Sequence, residues 1–183
     1  MRPWKRKKSI LGGGAKYVTT FEPAERDLLL NLASTVADAF MERARTAPKD
    51  ELAELTGMPV GHSEAPEDPR MARLLPDFSK PGEESVEGEN ALMRQLHESD
   101  IVTDKLHALR SIIDAIESNE SGQVTITEND AHAWVAGIND LRIYLHVSME
   151  GLHGSLEQVE QTDAMYQWLS YNQESLLDQL MGE

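Results

Sequence analysis

The sequence predicts an α+β fold that is mainly helical, with about four substantial helices and a small β-sheet built on an N-terminal hairpin. Apolar residues recur at three- and four-residue steps over most of the chain, and two short β-favouring segments flank a triple glycine near its start. The chain has 183 residues, 40% of them hydrophobic, which suits one domain with a conventional core. We therefore expect a single domain over residues 1–183.

Residues 1–21 form the predicted basic hairpin. The segment after Gly12-Gly13-Gly14 is rich in aromatic and β-branched residues, which favour extended backbone. A similar short segment, 123–127, is the expected third strand, because so short a strand needs neighbours to be stable. The glycines lack the Lys-Ser/Thr ending and the following helix of a phosphate-binding loop, so they predict a turn.

Four apolar stripes predict the main helices. The first helix is expected to begin at Pro23, where proline is favoured in the first turn, and to end near residue 45. Helical periodicity returns over 89–116 and again over 131–149, behind a capping-box spacing from Thr127 to Asp130. The last helix is expected from about residue 162. On the third helix, four apolar residues should line the core against the last helix: Trp134, Ile138, Leu141 and Leu145.

Residues 57–90 are predicted to form a long acidic loop rich in proline and glycine, ahead of a helical C-terminal half over 91–183. Five of the eight prolines lie in this loop, which breaks regular periodicity there. One short helix is expected inside it, with Asp68 as its N-cap, Pro69 in its first turn and Pro76 as its stop. A connection of this length is often functional.

Charge is divided unevenly along the chain. The net charge is −15, yet residues 1–21 contain six Lys and Arg and no acid, so the remaining residues carry −21. An acidic body repels phosphate backbones and argues against direct DNA binding, although the basic arm keeps that alternative open. The other interpretation of the arm is an exposed strand edge protected by Lys. The loop acids are the candidate partner-binding residues: Glu64, Glu67, Asp68, Glu83 and Glu84.

No residue pattern indicates catalysis or a bound cofactor. The chain has no cysteine, which excludes disulfides, thiol nucleophiles, iron–sulfur clusters and cysteine-based zinc sites. The six histidines include no pair at i, i+4, and no Gly-x-Ser-x-Gly motif occurs. We therefore expect a non-enzymatic protein without cofactor or metal, with an enzyme or small-ligand binder as the remaining alternative.

Residues 133–147 have some features of a helix-turn-helix motif, but their lack of cations argues against it. The would-be recognition helix offers Arg142 as its sole cation, whereas groove-reading helices need several donors. Gly137 instead predicts the close approach of a neighbouring helix. Three polar residues that follow it, Asn139, Asp140 and Arg142, fit either partner binding or local hydrogen bonding.

The chain contains no segment that predicts membrane insertion. No apolar run approaches the roughly 18 residues of a membrane span, and no apolar core of a secretory signal follows the basic start. We expect a cytoplasmic protein without a membrane partner, and the sequence leaves a homo-oligomer open.

Five motifs, taken in order along nearly the whole chain, resemble an actinobacterial family long described as of unknown function and typified by the oxidative-stress transcriptional regulator AosR. The motifs are Glu22-Pro23-x-Glu25, Arg73-Leu74-Leu75-Pro76-Asp77, Ile126-Thr127-x-x-x-Ala131-x-x-Trp134, Ile138-Asn139-Asp140-Leu141-Arg142 and Trp168-Leu169-x-x-x-Gln173-Glu174-Ser175-Leu176. The resemblance implies a cytoplasmic, non-enzymatic regulator that responds to oxidation through a protein partner, a stress sigma factor bound to RNA polymerase.

The chain departs from that family pattern in one respect. The resemblance implies a redox switch made of two cysteines, and this sequence has no cysteine, so disulfide sensing and its residues do not carry over. Oxidation of an exposed methionine, such as Met58 or Met71 in the loop, is the remaining direct route. The alternative is that the chain does not sense oxidants itself.

Overall fold

The computed structural model describes residues 1–7, 14–48, 61–79, 86–119, 121–150 and 156–182, which contain five helices and three strands. The strands are β1 (Lys5–Lys7), β2 (Lys16–Thr20) and β3 (Gln123–Thr127). The helices are α1 (Pro23–Arg45), α2 (Pro69–Leu74), α3 (Val86–Glu117), α4 (Glu128–Glu150) and α5 (Leu156–Met181). The predicted mainly helical α+β class is confirmed.

The three strands form one antiparallel sheet in the order β1-β2-β3. Tyr17 in the central strand lies opposite Arg6 on one side and Ile126 on the other. Gly122 leads into β3 with a left-handed φ of 77°, and a Cβ there would lie 2.4 Å from the Phe21 carbonyl oxygen. Only glycine fits this position, so the predicted third strand depends on it.

The outer edge of β1 contacts α5. The Trp4 backbone N–H donates to Ser175 Oγ at 2.9 Å, and the Arg6 N–H donates to Gln179 Oε1 at 3.0 Å. The Trp4 indole N–H also donates to Asn172 Oδ1 at 2.8 Å. Side chains of α5 therefore take up two backbone donors of this edge, while Lys5, Arg6 and Lys7 themselves are exposed, as the interpretation of a strand edge protected by Lys expects.

The predicted core face of α4 is confirmed. Trp134, Ile138, Leu141 and Leu145 are all buried, and α4 packs against both α5 and α3. Trp134 also contacts the N-terminal segment, since its ring centroid lies 5.3 Å from that of Trp4 in an edge-to-face arrangement. The N-terminal segment is thus part of the same hydrophobic core as the helices.

Gly137 allows α3 to approach α4 closely, as predicted. A Cβ at this position would lie 2.8 Å from Ile112 Cδ1 and 3.3 Å from the Ala108 carbonyl oxygen. Both distances are too short for an ordinary side-chain contact. The cost of glycine within a helix is therefore offset by packing between the two helices.

Three helix starts follow their local sequence signals. The Glu22 N–H donates to Glu25 Oε2 at 2.8 Å, which closes a capping box at α1. The Asp68 carboxylate caps α2, as predicted. At α4, Thr127 Oγ1 accepts from the Asp130 N–H at 3.2 Å, and Asp130 Oδ2 accepts from the Thr127 N–H at 3.2 Å. Aspartate therefore completes the box in place of the usual glutamate.

Two helices are longer than predicted. α3 begins at Val86, inside the range 57–90 expected to be loop, and runs without a break to Glu117. α5 begins at Leu156 rather than near residue 162. Residues 88–89 and 157–161 are exposed and mostly polar, so no buried apolar stripe marked these turns in the sequence.

Candidate partner-binding surface

A buried ion network joins α1, α3 and the segment 61–79. Glu98 Oε2 accepts from the Arg94 guanidinium at 2.7 Å, and Glu98 Oε1 accepts from Arg43 Nε at 2.7 Å. Arg94 also donates to Asp77 Oδ1 at 2.8 Å and to the Leu75 carbonyl oxygen at 3.2 Å. Arg94 and Glu98 are almost completely buried, so these contacts replace the water that both charges have lost.

The same network anchors the start of the segment 61–79. The Gly61 N–H donates to the Gln95 carbonyl oxygen at 2.8 Å, and a Cβ on Gly61 would lie 3.0 Å from the Arg94 carbonyl oxygen. The Arg43 guanidinium donates to the Glu64 carbonyl oxygen. Part of the predicted long loop is therefore held firmly against two helices.

Beside this network lies an exposed apolar patch. Seven large hydrophobic side chains are exposed in the described part of the chain, and four of them cluster at the N-terminal half of α3. We call this patch the α3 face: Phe78, Leu92, Met93 and Leu96. Clustered exposed apolar side chains are typical of interaction sites, whereas single ones are ordinary.

Phe78 is held beside the helical part of the α3 face. Its backbone N–H donates to Asn90 Oδ1 at 3.0 Å, and its ring centroid lies 6.1 Å from that of His97. Asn90, Met93 and His97 follow one another at three- and four-residue steps along one side of the helix. Phe78 therefore extends the apolar surface on the Met93 side.

Acidic residues flank the α3 face along the helix. Glu89 precedes it, and Asp100 and Asp104 follow it on the same side, all exposed. Two cations occur over residues 88–105: Arg94 belongs to the buried network, and Lys105 Nζ lies 2.7 Å from Asp140 Oδ1. Over the described residues 88–105 of α3, the exposed charges beside the apolar patch are thus acidic, which suits a partner surface with apolar residues and cations.

The loop acids predicted from the sequence have different surroundings. Glu64 and Glu67 are exposed on the anchored segment. The Asp68 carboxylate accepts from the Arg70 backbone N–H, which caps α2, and it also binds the Arg70 guanidinium. The guanidinium hydrogen bond is the main reason that the Asp68 pKa is lowered. Glu83 and Glu84 lie outside the described residues. Partner binding by these acids stays a prediction.

Of the three polar residues singled out on α4, two contact neighbouring side chains and one is exposed. Asp140 is buried, which raises its pKa, and the nearby Lys105 ammonium opposes that effect. Arg142 donates to Ser170 Oγ at 3.0 Å and to Gln173 Oε1. Asn139 is exposed. For Asp140 and Arg142, the interpretation as local hydrogen-bonding groups is therefore the better one.

The C-terminal motif also contributes to the framework. Gln173 donates to the Val135 carbonyl oxygen at 2.9 Å. Asn172 and Ser175 accept hydrogen bonds from Trp4. These side chains connect α5 to α4 and to the N-terminal segment. The sequence motifs that carry the resemblance thus encode the packing of three elements.

Two small cavities border Glu98. One of about 150 Å³ lies between α1, α3 and His62, and one of about 120 Å³ lies between Phe78 and Ile101. Both are smaller than the roughly 300 Å³ of ordinary ligand pockets. Within the described ranges, no group of three or more potential ligands could hold a metal ion.

The comparisons with known proteins identify the family. The family model described as Domain of unknown function (DUF2017) matches residues 1–180. The chain belongs to this family. Proteins named "Oxidative stress regulator AosR" from Mycobacterium tuberculosis and Mycobacterium bovis are 36% identical over 197 aligned positions, which cover 100% of this chain and 89% of each relative. The Mycobacterium leprae protein named "Putative oxidative stress regulator AosR" is 34% identical over the same length.

The DUF2017 match confirms the resemblance that the five motifs predict, and the named relatives support a regulatory role. No solved structure shows a significant match. None of the helices in the described ranges has the length and apolar character needed to cross a membrane.

Proposed function

We propose that this DUF2017 protein is a non-enzymatic, cytoplasmic regulator of transcription under oxidative stress, and that it acts by binding a stress sigma factor on RNA polymerase. Its full-length similarity to proteins named as oxidative-stress regulators supports the regulatory role. The sigma factor as partner is what the family resemblance implies.

The α3 face is the observation that carries this proposal. It combines exposed apolar side chains with flanking acids on a helix that the buried Arg94–Glu98 network holds in place. A rigid surface loses less conformational entropy on binding than a mobile one. Proteins that work on DNA present basic surfaces, and an acidic apolar face is complementary to such surfaces.

The proposal is tested by measuring binding of the purified chain to a stress sigma factor, to core RNA polymerase and to duplex DNA. We expect binding to the sigma factor, alone or on polymerase, and no retention on DNA. Salt-dependent DNA retention that is lost when Lys5 and Lys7 are replaced by Gln would instead support direct DNA binding by the hairpin. Absence of binding to both sigma factor and polymerase would overturn the proposal.

Association with the sigma factor should depend on the acidic surface. Replacing Asp100 and Asp104 by Asn, or the loop acids Glu64, Glu67, Glu83 and Glu84 by Gln, should slow association severalfold at low salt. Asp68 is left unchanged because it caps α2. The difference should shrink as salt rises, since charges farther apart than about 8 Å are screened at physiological ionic strength.

The matched control for this measurement is Lys5→Gln with Lys7→Gln, which changes two exposed charges on the hairpin. Association rates should be measured by surface plasmon resonance at low and high salt. Rates that do not depend on salt, or a loss limited to the hairpin variant, would contradict the prediction.

A further inference from the structure

The methionines of this chain differ strongly in exposure. Met71, which the sequence offered as an oxidation site, is 5% exposed and lies in the core, so that expectation is wrong. Met58 lies outside the described residues. Among the described methionines, Met93 is 37% exposed and Met181 is 66% exposed. Small oxidants can reach these two side chains without unfolding of the protein.

Met93 differs from Met181 in its position within the α3 face. Leu92 and Leu96 lie next to it on the same side of α3, and Phe78 extends the patch beyond it. Met181 lies at the last residue of α5. A chemical change at Met93 therefore alters the middle of the exposed apolar patch.

We propose that Met93 is an oxidation site and that its sulfoxide weakens docking of a basic, apolar partner on the α3 face. The idea rests on the proposed function, because it supplies the regulation of that same surface. It also gives a chain without cysteine a reversible response to oxidants.

The chemistry requires a peroxide as oxidant. The thioether sulfur attacks one peroxide oxygen, so that an S–O bond forms and the O–O bond breaks. Sulfur loses two electrons, and the other peroxide oxygen leaves as hydroxide, which takes the proton of the sulfur-bound hydroxyl and becomes water. The product is polar where the thioether was apolar. A sulfoxide reductase reduces it back to the thioether with two electrons from a dithiol, which becomes a disulfide as water is released.

Charge determines which occupant fits the surface. Glu89 lies at one end of the α3 face and Asp100 and Asp104 at the other. In an antiparallel pair of two copies, acids would lie opposite acids, and the chain as a whole carries −15. A helix with apolar residues and with Lys or Arg opposite Asp100 and Asp104 would bring opposite charges together, so we commit to that partner chemistry.

The first measurement follows modification itself. The full chain is treated with hydrogen peroxide while folded, and each methionine-containing peptide is quantified by mass spectrometry. We expect Met93 and Met181 to form sulfoxide while Met71 stays protected. Met93 that remains unoxidised after Met181 is fully converted would overturn the inference.

The second measurement follows docking. The probe is a synthetic amphipathic helical peptide with leucines on one face and arginines at the edges of that face, and binding is read by fluorescence anisotropy. Unoxidised protein should bind the peptide, and peroxide should weaken binding by about tenfold or more, because one large apolar contact is lost. Sulfoxide reductase with dithiothreitol should restore binding.

Three variants localise the effect. Met93→Leu should bind the peptide and resist peroxide, and Met93→Gln should bind weakly without peroxide. The matched control Met181→Leu should remain as sensitive as wild type. Equal sensitivity of Met93→Leu and wild type would overturn the inference, as would failure of unoxidised protein to bind the peptide. Self-association through the α3 face, seen by sedimentation and abolished by Leu96→Asp, would replace the committed partner with a second copy.

The two proposals fail separately. If the sigma factor binds equally to protein with and without Met93 sulfoxide, the oxidation site is wrong and the proposed function stands. If the peptide responds as expected while neither sigma factor nor polymerase binds, the proposed function is wrong and the oxidation-sensitive surface stands.

Discussion

Replacing Glu98 by Ala is expected to lower the free energy of unfolding by about 3–5 kcal/mol. The carboxylate binds both Arg94 and Arg43, and Arg94 is almost completely buried. Without Glu98, Arg94 keeps Asp77 and one carbonyl oxygen, so a buried guanidinium loses its main counter-charge. The loss should appear as a lower midpoint in denaturant unfolding followed by circular dichroism.

The control for Glu98 is another glutamate in an ion pair. Glu42 bonds Arg45 at 2.7 Å, but both side chains are exposed. Glu42→Ala should change stability by no more than about 1 kcal/mol, because water screens such pairs. Equal midpoints for the two variants would contradict a stabilising role for the buried network.

Ile138→Ala should destabilise the fold by about 2–5 kcal/mol. Ile138 is fully buried on α4, next to the position where Gly137 lets α3 approach. Close packing leaves little room for neighbours to fill the space of the lost methylene and methyl groups, so a cavity remains.

The comparison variant for Ile138 is Leu92→Ala on the α3 face. Leu92 is exposed, so its truncation should change the free energy of unfolding by no more than about 0.5 kcal/mol. If Ile138→Ala unfolds at the wild-type midpoint, the assignment of the α4 core face is wrong. If Leu92→Ala is strongly destabilised, Leu92 belongs to the core rather than to a binding surface.

Most of the fold could be predicted because its signals are local. Proline and acids mark the start of α1, Thr127 and Asp130 mark α4, and the stripe that contains Ile138 marks a buried face. The third strand could also be predicted, since a segment as short as 123–127 needs partners. Weak or polar first turns, as in α3 and α5, give no such signal.

The candidate site could not be predicted in the same way. The N-terminal half of α3 carries Leu92, Met93 and Leu96 on one side and the charged pair Arg94 and Glu98 on another, and local rules would bury the apolar side. In the structure the charged side is buried and the apolar side is exposed, because Arg43 and Asp77, distant in sequence, form ion pairs with Glu98 and Arg94. The i, i+4 spacing of Arg94 and Glu98 was the one visible signal, but it is equally typical of a solvated surface pair.

The predicted acidic surface shows the same limit. Composition identified the loop as acidic, yet it did not show that Asp68 is engaged with Arg70 while Glu64 and Glu67 are exposed. Nor did composition show that the acids of α3 flank an apolar patch. Both facts depend on how the segment 61–79 packs on the helices.

The most direct test of this account is the dissociation constant of the stress sigma factor for two variants that add one negative charge each. Leu96 on the α3 face and Val159 on α5 are exposed to nearly the same extent, 37% and 38%. Leu96→Asp should weaken binding by about 30-fold or more, as expected for an apolar anchor at an interface, while Val159→Asp should bind like wild type. Equal affinities for the two variants, with both folded, would show that the α3 face is not the docking site.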